Sequence, residues 1–597
     1  MLGRTERQGD LFEADNLYRD YVGERSLYVA LGRLRSCFQD DDFADLYDEG
    51  NGRPSVPPSE LCMLMVLQFL HGVSDQEAVD RAAYDLRWKV ALGLQVDEKL
   101  CSKSTLQLFR ARLVIHERHG QILERSVEVC RSAGLLRRGE LEAAIDGTPI
   151  LGRGAVKDTF NLISDQIRRI VRLVAELQGR DARELAAEHG LERHFASSFK
   201  GAAEIDWDSK QAQRALVGQL VEEARGACKL GADALRQPIA EDIHPKKSGS
   251  LRRKLGESLE LLQSLVHQDI HEEPEDGEGP EIRRGTAKDR IISTTDPEMR
   301  HGRNSPTKTV EGYKATVVAD TESGTILATS IAPANQAEVA AARATLDQAQ
   351  ANLGHESVIE RVIADTAYGT SSCRSELSTS GIELIAKSPP AGGKVNCFRV
   401  DDFRFDSVSG QATCPAGQVS APGCPKKSGE VVYRFAESAC SACPMRSQCT
   451  TAKGGRSVRV TPETLAHQEH RRRQQTPAFK EVYRRRVRVE HAIARLIQLG
   501  ARQARYLGRA KVEFQLAMTA AARNLAAAAI DHLRELLHLT MLIIHQAPRS
   551  ALLRGRDRNG AANATPPRLS PVGVPRTDFS RLPTRSLAEI GGCRPRF

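Results

Sequence analysis

The chain has 597 residues, of which 40% are hydrophobic, 27% charged and 5% aromatic, with a formal net charge of +8. At roughly 150 residues per domain, that length implies three or four units, and the balance excludes fibrous and membrane-embedded classes. The most apolar stretches, 61–70 and 536–544, fall short of the ~20 residues that span a bilayer, and the charged start MLGRTERQGDLF is unlike a signal peptide, so a cytoplasmic location is expected.

Thirteen cysteines, an odd number and mostly scattered singly, do not make a secreted disulfide framework. Charge is unevenly spread. Residues 471–513 carry thirteen Lys/Arg against three Glu, and 546–597 carry ten Arg against three acids, whereas seven acids crowd 267–284. A basic C-terminal half calls for a polyanionic partner, of which nucleic acid is the simplest, although either basic run alone also reads as a solvated helix face or a disordered tail.

In chain order, residues 20–135 follow a helical period, with Pro54, Pro57 and Pro58 ahead of the one-sided run Leu61, Leu64, Met65, Leu67 and Gln68. Ser104 is placed to cap a helix beginning at Thr105. The character then changes to EAAIDGTPI, read as a strand whose end delivers Asp146. Ile163, Ile167, Ile170, Val174 and Leu177 open a helical insertion over 161–266, and the acidic Pro/Gly segment 267–285 reads as a linker or mobile loop.

Strands return at GYKATVVAD and TILATSIAP, followed by a helix over 336–350, a strand VIERVIAD ending at Asp365, and another at IELIAKS. Together, 140–160 and 286–395 predict a mixed five-stranded α/β sheet flanked by helices. A Cys-rich insertion is expected over 396–455, basic helices over 470–545 with one continuous helix across 477–499, and a disordered basic tail over 546–597. Trp88 and Trp207 read as packing residues rather than base-stacking ones.

Asp146 and Asp365 end buried strands, where sheets of this class usually build their sites, yet each alone is more readily explained as a turn former. Tyr483, Arg486 and Glu490 share one helix face at i, i+3 and i+7. An acid amid Arg484, Arg485, Arg486, Arg488 and Arg495 is either a counter-ion or the group that holds a cation while the arginines hold phosphates.

The order of IDGTPI, GYKATVVAD, ADTAYG and YRRRVRVEHAIARL resembles the catalytic core of DDE transposases from bacterial insertion sequences. The spacing Tyr-x2-Arg-x3-Glu matches the signature around that family's third acid. GRPSVPP with the run LCMLMVLQFLHGVSDQEAVDRAAYDLRWKVALGL is similar to the helical N-terminal domain of InsH-like members, and GARQARYLGRAKVEFQLAMTAAARNL to their C-terminal helix pair.

This resemblance implies an RNase H-like fold in which Asp146, Asp365 and Glu490 hold two Mg2+ ions and catalyse cleavage at the element's ends and strand transfer into target DNA. It implies double-stranded DNA as partner, terminal inverted repeats and target alike, with 20–135 as a DNA-binding domain, a homodimer or higher oligomer on DNA, and a nucleoid-associated enzyme. Tyr483 and Arg486 would position phosphate, with Lys314 a further candidate. Where the family often has a Lys seven positions after the Glu, this chain has Ile497, leaving Arg495, Arg502 and Lys511 for that contact. The alternative function is a catalytically silent repressor or scaffold derived from a transposase.

Cys414, Cys440, Cys443 and Cys449 resemble a zinc knuckle, with the Cys-x2-Cys pair as its strongest element and Cys424 as an alternate ligand; a reduced loop without metal is the competing reading. Cys62 and Cys130 read as small buried side chains.

Overall fold

In a computed structural model, the described residues are 1–5, 14–48, 52–237, 244–274, 277, 279–285, 287–303, 307–392, 397–452 and 454–546. The chain divides into two units, Met1–Leu536 and Leu537–Phe597. Of the second, only the end of a helix spanning Arg509–Gln546 is described, so the expected tail over 546–597 lies, but for its first residue, outside the described residues. Among the described residues no helix is long and apolar enough to cross a membrane.

The first unit is built on a mixed α/β sheet. Its strands are β1 (Gly139–Leu151), β2 (Thr309–Asp320), β3 (Ile326–Pro333), β4 (Ser357–Ala364) and β5 (Glu383–Ala386). Their spatial order is β3-β2-β1-β4-β5, with β2 antiparallel to both neighbours and β1, β4 and β5 mutually parallel. The first strand of the chain is therefore the central one.

Two features depart from the five-strand expectation. A sixth strand, Arg300–Arg303, pairs with the start of β2 at the end that β3 leaves uncovered; its sequence RHGR has no apolar alternation to betray it. β1 also does not stop at Asp146 but runs on to Leu151 through Pro149. Leu151 N donates to Arg502 O at 2.9 Å, away from β2, so by strand alternation the missing N–H of Pro149 falls on that same side and costs β1 no bond to β2.

Helices Pro58–His71 and Lys103–Ile115 share one continuous core with β2 and the C-terminal helix: Leu64, Phe109, Tyr313, Val317 and Phe514 belong to the same cluster. Trp88 is fully buried there. Ser102, rather than Ser104, caps Lys103–Ile115, accepting from Thr105 N at 3.2 Å. Helices His119–Ser132, Ala342–Leu353 and Ser371–Thr379 line the other core of the sheet. The helix expected over 336–350 begins instead with a 3-10 turn, Glu338–Ala341.

The insertion between β1 and β2 has its own core, formed mainly by helices Thr159–Gln178, Lys210–Arg236 and Pro245–Asp269, with Trp207 packed edge-on against Phe160. Its two ends are tied together. Buried Asp269 accepts from Thr159 Oγ1 and from both Nε and Nη2 of Arg290, each at 2.8 Å. The acidic segment beyond it is pinned by a short ribbon pairing Ile270 with Ile282, so it is not a free linker at its ends.

Candidate active site

The parallel ladder between β1 and β4 ends at the pair Ile145–Ala364. The next residue on each strand is an acid, so register alone brings Asp146 and Asp365 side by side at the carboxyl edge of the parallel strands, the usual site-building edge of such sheets. Asp365 caps a single turn, Thr366–Tyr368, by accepting from Ala367 N at 2.9 Å. Gly369 follows because nothing larger fits: a Cβ there would sit 1.9 Å from Lys387 O, just past β5.

Glu490 lies in the first turn of the helix Val487–Leu496. The continuous helix expected across 477–499 is broken. Pro477–Arg484 ends before it, and beyond it the chain enters a π-turn, Ile497–Ala501, with Gly500 at φ 96°. The intervening residues keep a tight helical turn, Arg486 N donating to Tyr483 O at 3.1 Å, so Tyr483, Arg486 and Glu490 remain neighbours.

Arg486 joins the parts. Its Nη1 donates to Asp146 Oδ2 at 2.8 Å and its Nη2 to Glu490, with the Asp146 side chain 16% exposed and Glu490 46%. Burial pushes the Asp146 carboxyl up to about 6; Arg486 and the Gly147 N–H pull the other way, while Asp365 and Glu338 raise it further. Burial also raises the Tyr483 phenol, opposed by Arg486 and reinforced by Asp365, Asp146 and Glu490, so this ring stands within the field of all three acids. Tyr483 stacks on Phe479 and carries the Lys387 ammonium 4.7 Å from its ring centroid.

Two residues of this site escape sequence reasoning. Glu338, in the turn after β3, packs its carboxyl against Gly147, where a Cβ would lie 3.0 Å from it, and pairs with Lys314 at 3.7 Å. Its neighbour Val339 and the context PANQAEV carry no periodic signal. Lys387 is an exposed cation at the end of β5, found only through its place over Tyr483.

The predicted phosphate-binding residues separate. Arg486 and Tyr483 join the acids. Lys314 is held by Gln336 O and Glu338, and Arg502 by Pro149 O at 2.7 Å, where it supports β1. Arg495 donates to Gln498 and Lys511 is exposed; no contact links either to the acids.

Among the described residues, no group of three or more His, Cys, Asp or Glu side chains is arranged to hold a metal ion as it stands. At the sheet edge the donor chemistry nonetheless fits a hard divalent cation. Asp146, Asp365, Glu490 and Glu338 offer only carboxylate oxygens, and the positive charge they require is met here by Arg486, inserted between two of them.

Three family models match the chain: a transposase domain (DUF772) over residues 20–112, a transposase DDE domain over 283–410, and a second transposase DDE domain over 413–528. The last two take in Asp365 and the Tyr483, Arg486 and Glu490 group, whereas Asp146 lies outside all three, on the far side of the helical insertion. No curated protein and no solved structure matches. The three models cover over half of the chain between them and follow one another in order, and the sheet has the strand order of an RNase H-like core; the chain belongs to the DDE transposases of insertion-sequence type.

Proposed function

We propose that the protein cuts DNA at the ends of its own element and joins those ends to target DNA, with Asp146, Asp365 and Glu490 as catalytic ligands of Mg2+. The observation that supports this reading most is the shared guanidinium of Arg486, which links Asp146 on the central strand to Glu490 on the helix, with Asp365 one register position away.

Bound divalent ions would activate the attacking oxygen and stabilise the departing one. In cleavage, a water oxygen attacks phosphorus, the bond to the 3′ oxygen breaks, and a 3′-hydroxyl and a 5′-phosphate result. In joining, that 3′-hydroxyl attacks a target phosphodiester and releases the target's own 3′-hydroxyl, so no oxidant or nucleotide cofactor is consumed.

The chain's residues prepare this chemistry. Arg486 turns from Asp146 to a non-bridging phosphate oxygen once the carboxylates are neutralised, and Tyr483 and Lys387 hold the same strand from the side of β5. Glu338 adds negative charge behind Gly147 and strengthens the hold of Asp146 on a cation. The N-terminal helices read the terminal repeats, and two or more copies pair the ends.

The test is a cleavage and strand-transfer assay in Mg2+ on DNA carrying the element's ends, comparing wild type with Asp146→Asn, Asp365→Asn and Glu490→Gln. Loss of both reactions with retained DNA binding supports the assignment. Activity surviving in any one variant removes that residue from the ligand set, and a folded wild type that binds but never cuts favours the silent repressor.

A further inference from the structure

Between β5 and the helix Pro462–Arg473 the chain builds a small module from fragments. Strands Arg404–Asp406 and Gln411–Thr413 form one pair, and Cys424–Pro425, Val431–Arg434 and Ser457–Val460 form a three-stranded sheet. Its buried core is Phe403, Ala412, Tyr433, Phe435, Val458 and Val460. Six side chains are a thin core for some sixty residues, and units of that size usually need a cross-link or a metal to hold their loops.

Three thiols pack against this core, and a fourth is tied to one of them. Cys414, Cys440 and Cys449 pack directly against it, and Cys440 and Cys443 are joined through a turn in which Cys443 N donates to Cys440 O at 3.3 Å. Cys414, Cys440 and Cys449 thus share one small core, with Cys443 tied to Cys440 through the turn. Cys414 sits at the head of a tight turn closed by Gly417 N to Cys414 O and Cys414 N to Gln418 O, both 2.9 Å. The Arg456 backbone N–H donates to Cys440 Sγ at 3.4 Å, as amides do to metal-bound sulfur.

Cys424, by contrast, is exposed, with its sulfur directed to its own neighbour Pro425 O at 3.9 Å. All twelve described cysteines are free thiols. As the described chain stands, no three of these thiols are arranged to hold an ion. A bound ion would therefore have to draw together the Cys414 turn, the Cys440–Cys443 turn and the Cys449 loop.

We propose that Cys414, Cys440, Cys443 and Cys449 bind one structural Zn2+ ion that cross-links this module, and that Cys424 takes no part. Soft thiolates in a Cys-x2-Cys pair with two further cysteines favour a tetrahedral zinc site, and four protein ligands leave no open position for catalysis. The site is separate in chemistry from the carboxylate centre, so it stands or falls independently of the cleavage assignment.

The test is elemental analysis of the full-length chain purified without added chelator, followed by exchange with Co2+. One zinc per chain, strong thiolate-to-cobalt absorption, and release of the ion on modification of about four thiols by a mercurial are expected. Single Cys→Ser changes at positions 414, 440, 443 and 449 should each abolish stoichiometric metal, whereas Cys424→Ser retains it. Should a ligand variant fail to fold, the wild-type cobalt spectrum and thiol count still decide. A metal-free wild type that gives no such spectrum overturns the proposal, as does loss of metal in Cys424→Ser with retention in Cys414→Ser.

Discussion

The Arg486 guanidinium lies 2.8 Å from the Asp146 carboxylate, joining residues 340 positions apart in the chain. If Asp146 and Glu490 hold a divalent ion as proposed, this cation stands in its place and the two would compete. Arg486→Gln should therefore bind Mg2+ several-fold more tightly by calorimetry in the absence of DNA, yet cleave at least about tenfold more slowly because the phosphate contact is gone. Weaker Mg2+ binding in the variant would rule out competition.

Asp146 also sets a pH dependence. Its carboxyl is raised to about 6 in the folded chain from an ordinary 3.8. An acid raised by folding contributes nothing unfavourable below about pH 3, where both states are protonated, and destabilises the fold increasingly as pH rises from there through 6. Metal-free Asp146→Asn should accordingly be more stable than wild type at pH 8, by on the order of 3 kcal/mol, with the difference vanishing near pH 3. Denaturant melts at the two pH values check this.

Glu338 is expected to tune the metal rather than hold the scissile phosphate. Glu338→Gln should keep the fold and DNA binding but shift the Mg2+ requirement for cleavage upward by about tenfold, a typical effect of losing a supporting carboxylate. Gly147→Ala, whose Cβ would press on the same carboxyl at 3.0 Å, should reproduce the shift in milder form. An unchanged Mg2+ profile in both would remove Glu338 from the site.

Much of this site was legible because it follows from strand ends. The apolar run VIERVIAD marks Asp365, and Tyr483, Arg486 and Glu490 are close in sequence. Other parts depend on distant partners. Nothing local tells that β1 runs on through Pro149, since that depends on Arg502 and on which side of the strand is unpaired. Glu338 reaches the acids only through the turn after β3, and RHGR becomes a strand only because β2 outruns its neighbour. Ser102 beats Ser104 as a cap because the helix starts one residue after it, a difference too fine for periodicity.

The neck of the insertion offers a stability test. Arg290→Ala strips buried Asp269 of two charge-assisted bonds at 2.8 Å and leaves it facing only Thr159. A loss of about 3 kcal/mol is expected, read as faster hydrogen exchange at both ends of the insertion. Arg290→Lys should recover only part of it, since the bidentate geometry is lost.

Lys387 should act on DNA affinity alone. Lys387→Ala is predicted to weaken binding uniformly across sequences and to reduce the slope of log affinity against log salt by about one. Filter binding or anisotropy over a salt series measures both, and an unaltered slope would detach Lys387 from the phosphate path.

The place of β1 in the middle of the sheet governs how the protein comes into being. Its antiparallel neighbour begins only at Thr309 and its parallel neighbour at Ser357, so the insertion, with its own core, is synthesised whole well before the sheet can form. The third acid arrives at Glu490, and Phe514 and Leu525, which complete the core beneath the N-terminal helices, arrive later still. Premature termination is thus expected to leave a chain with an unfinished core, a ready substrate for proteolysis.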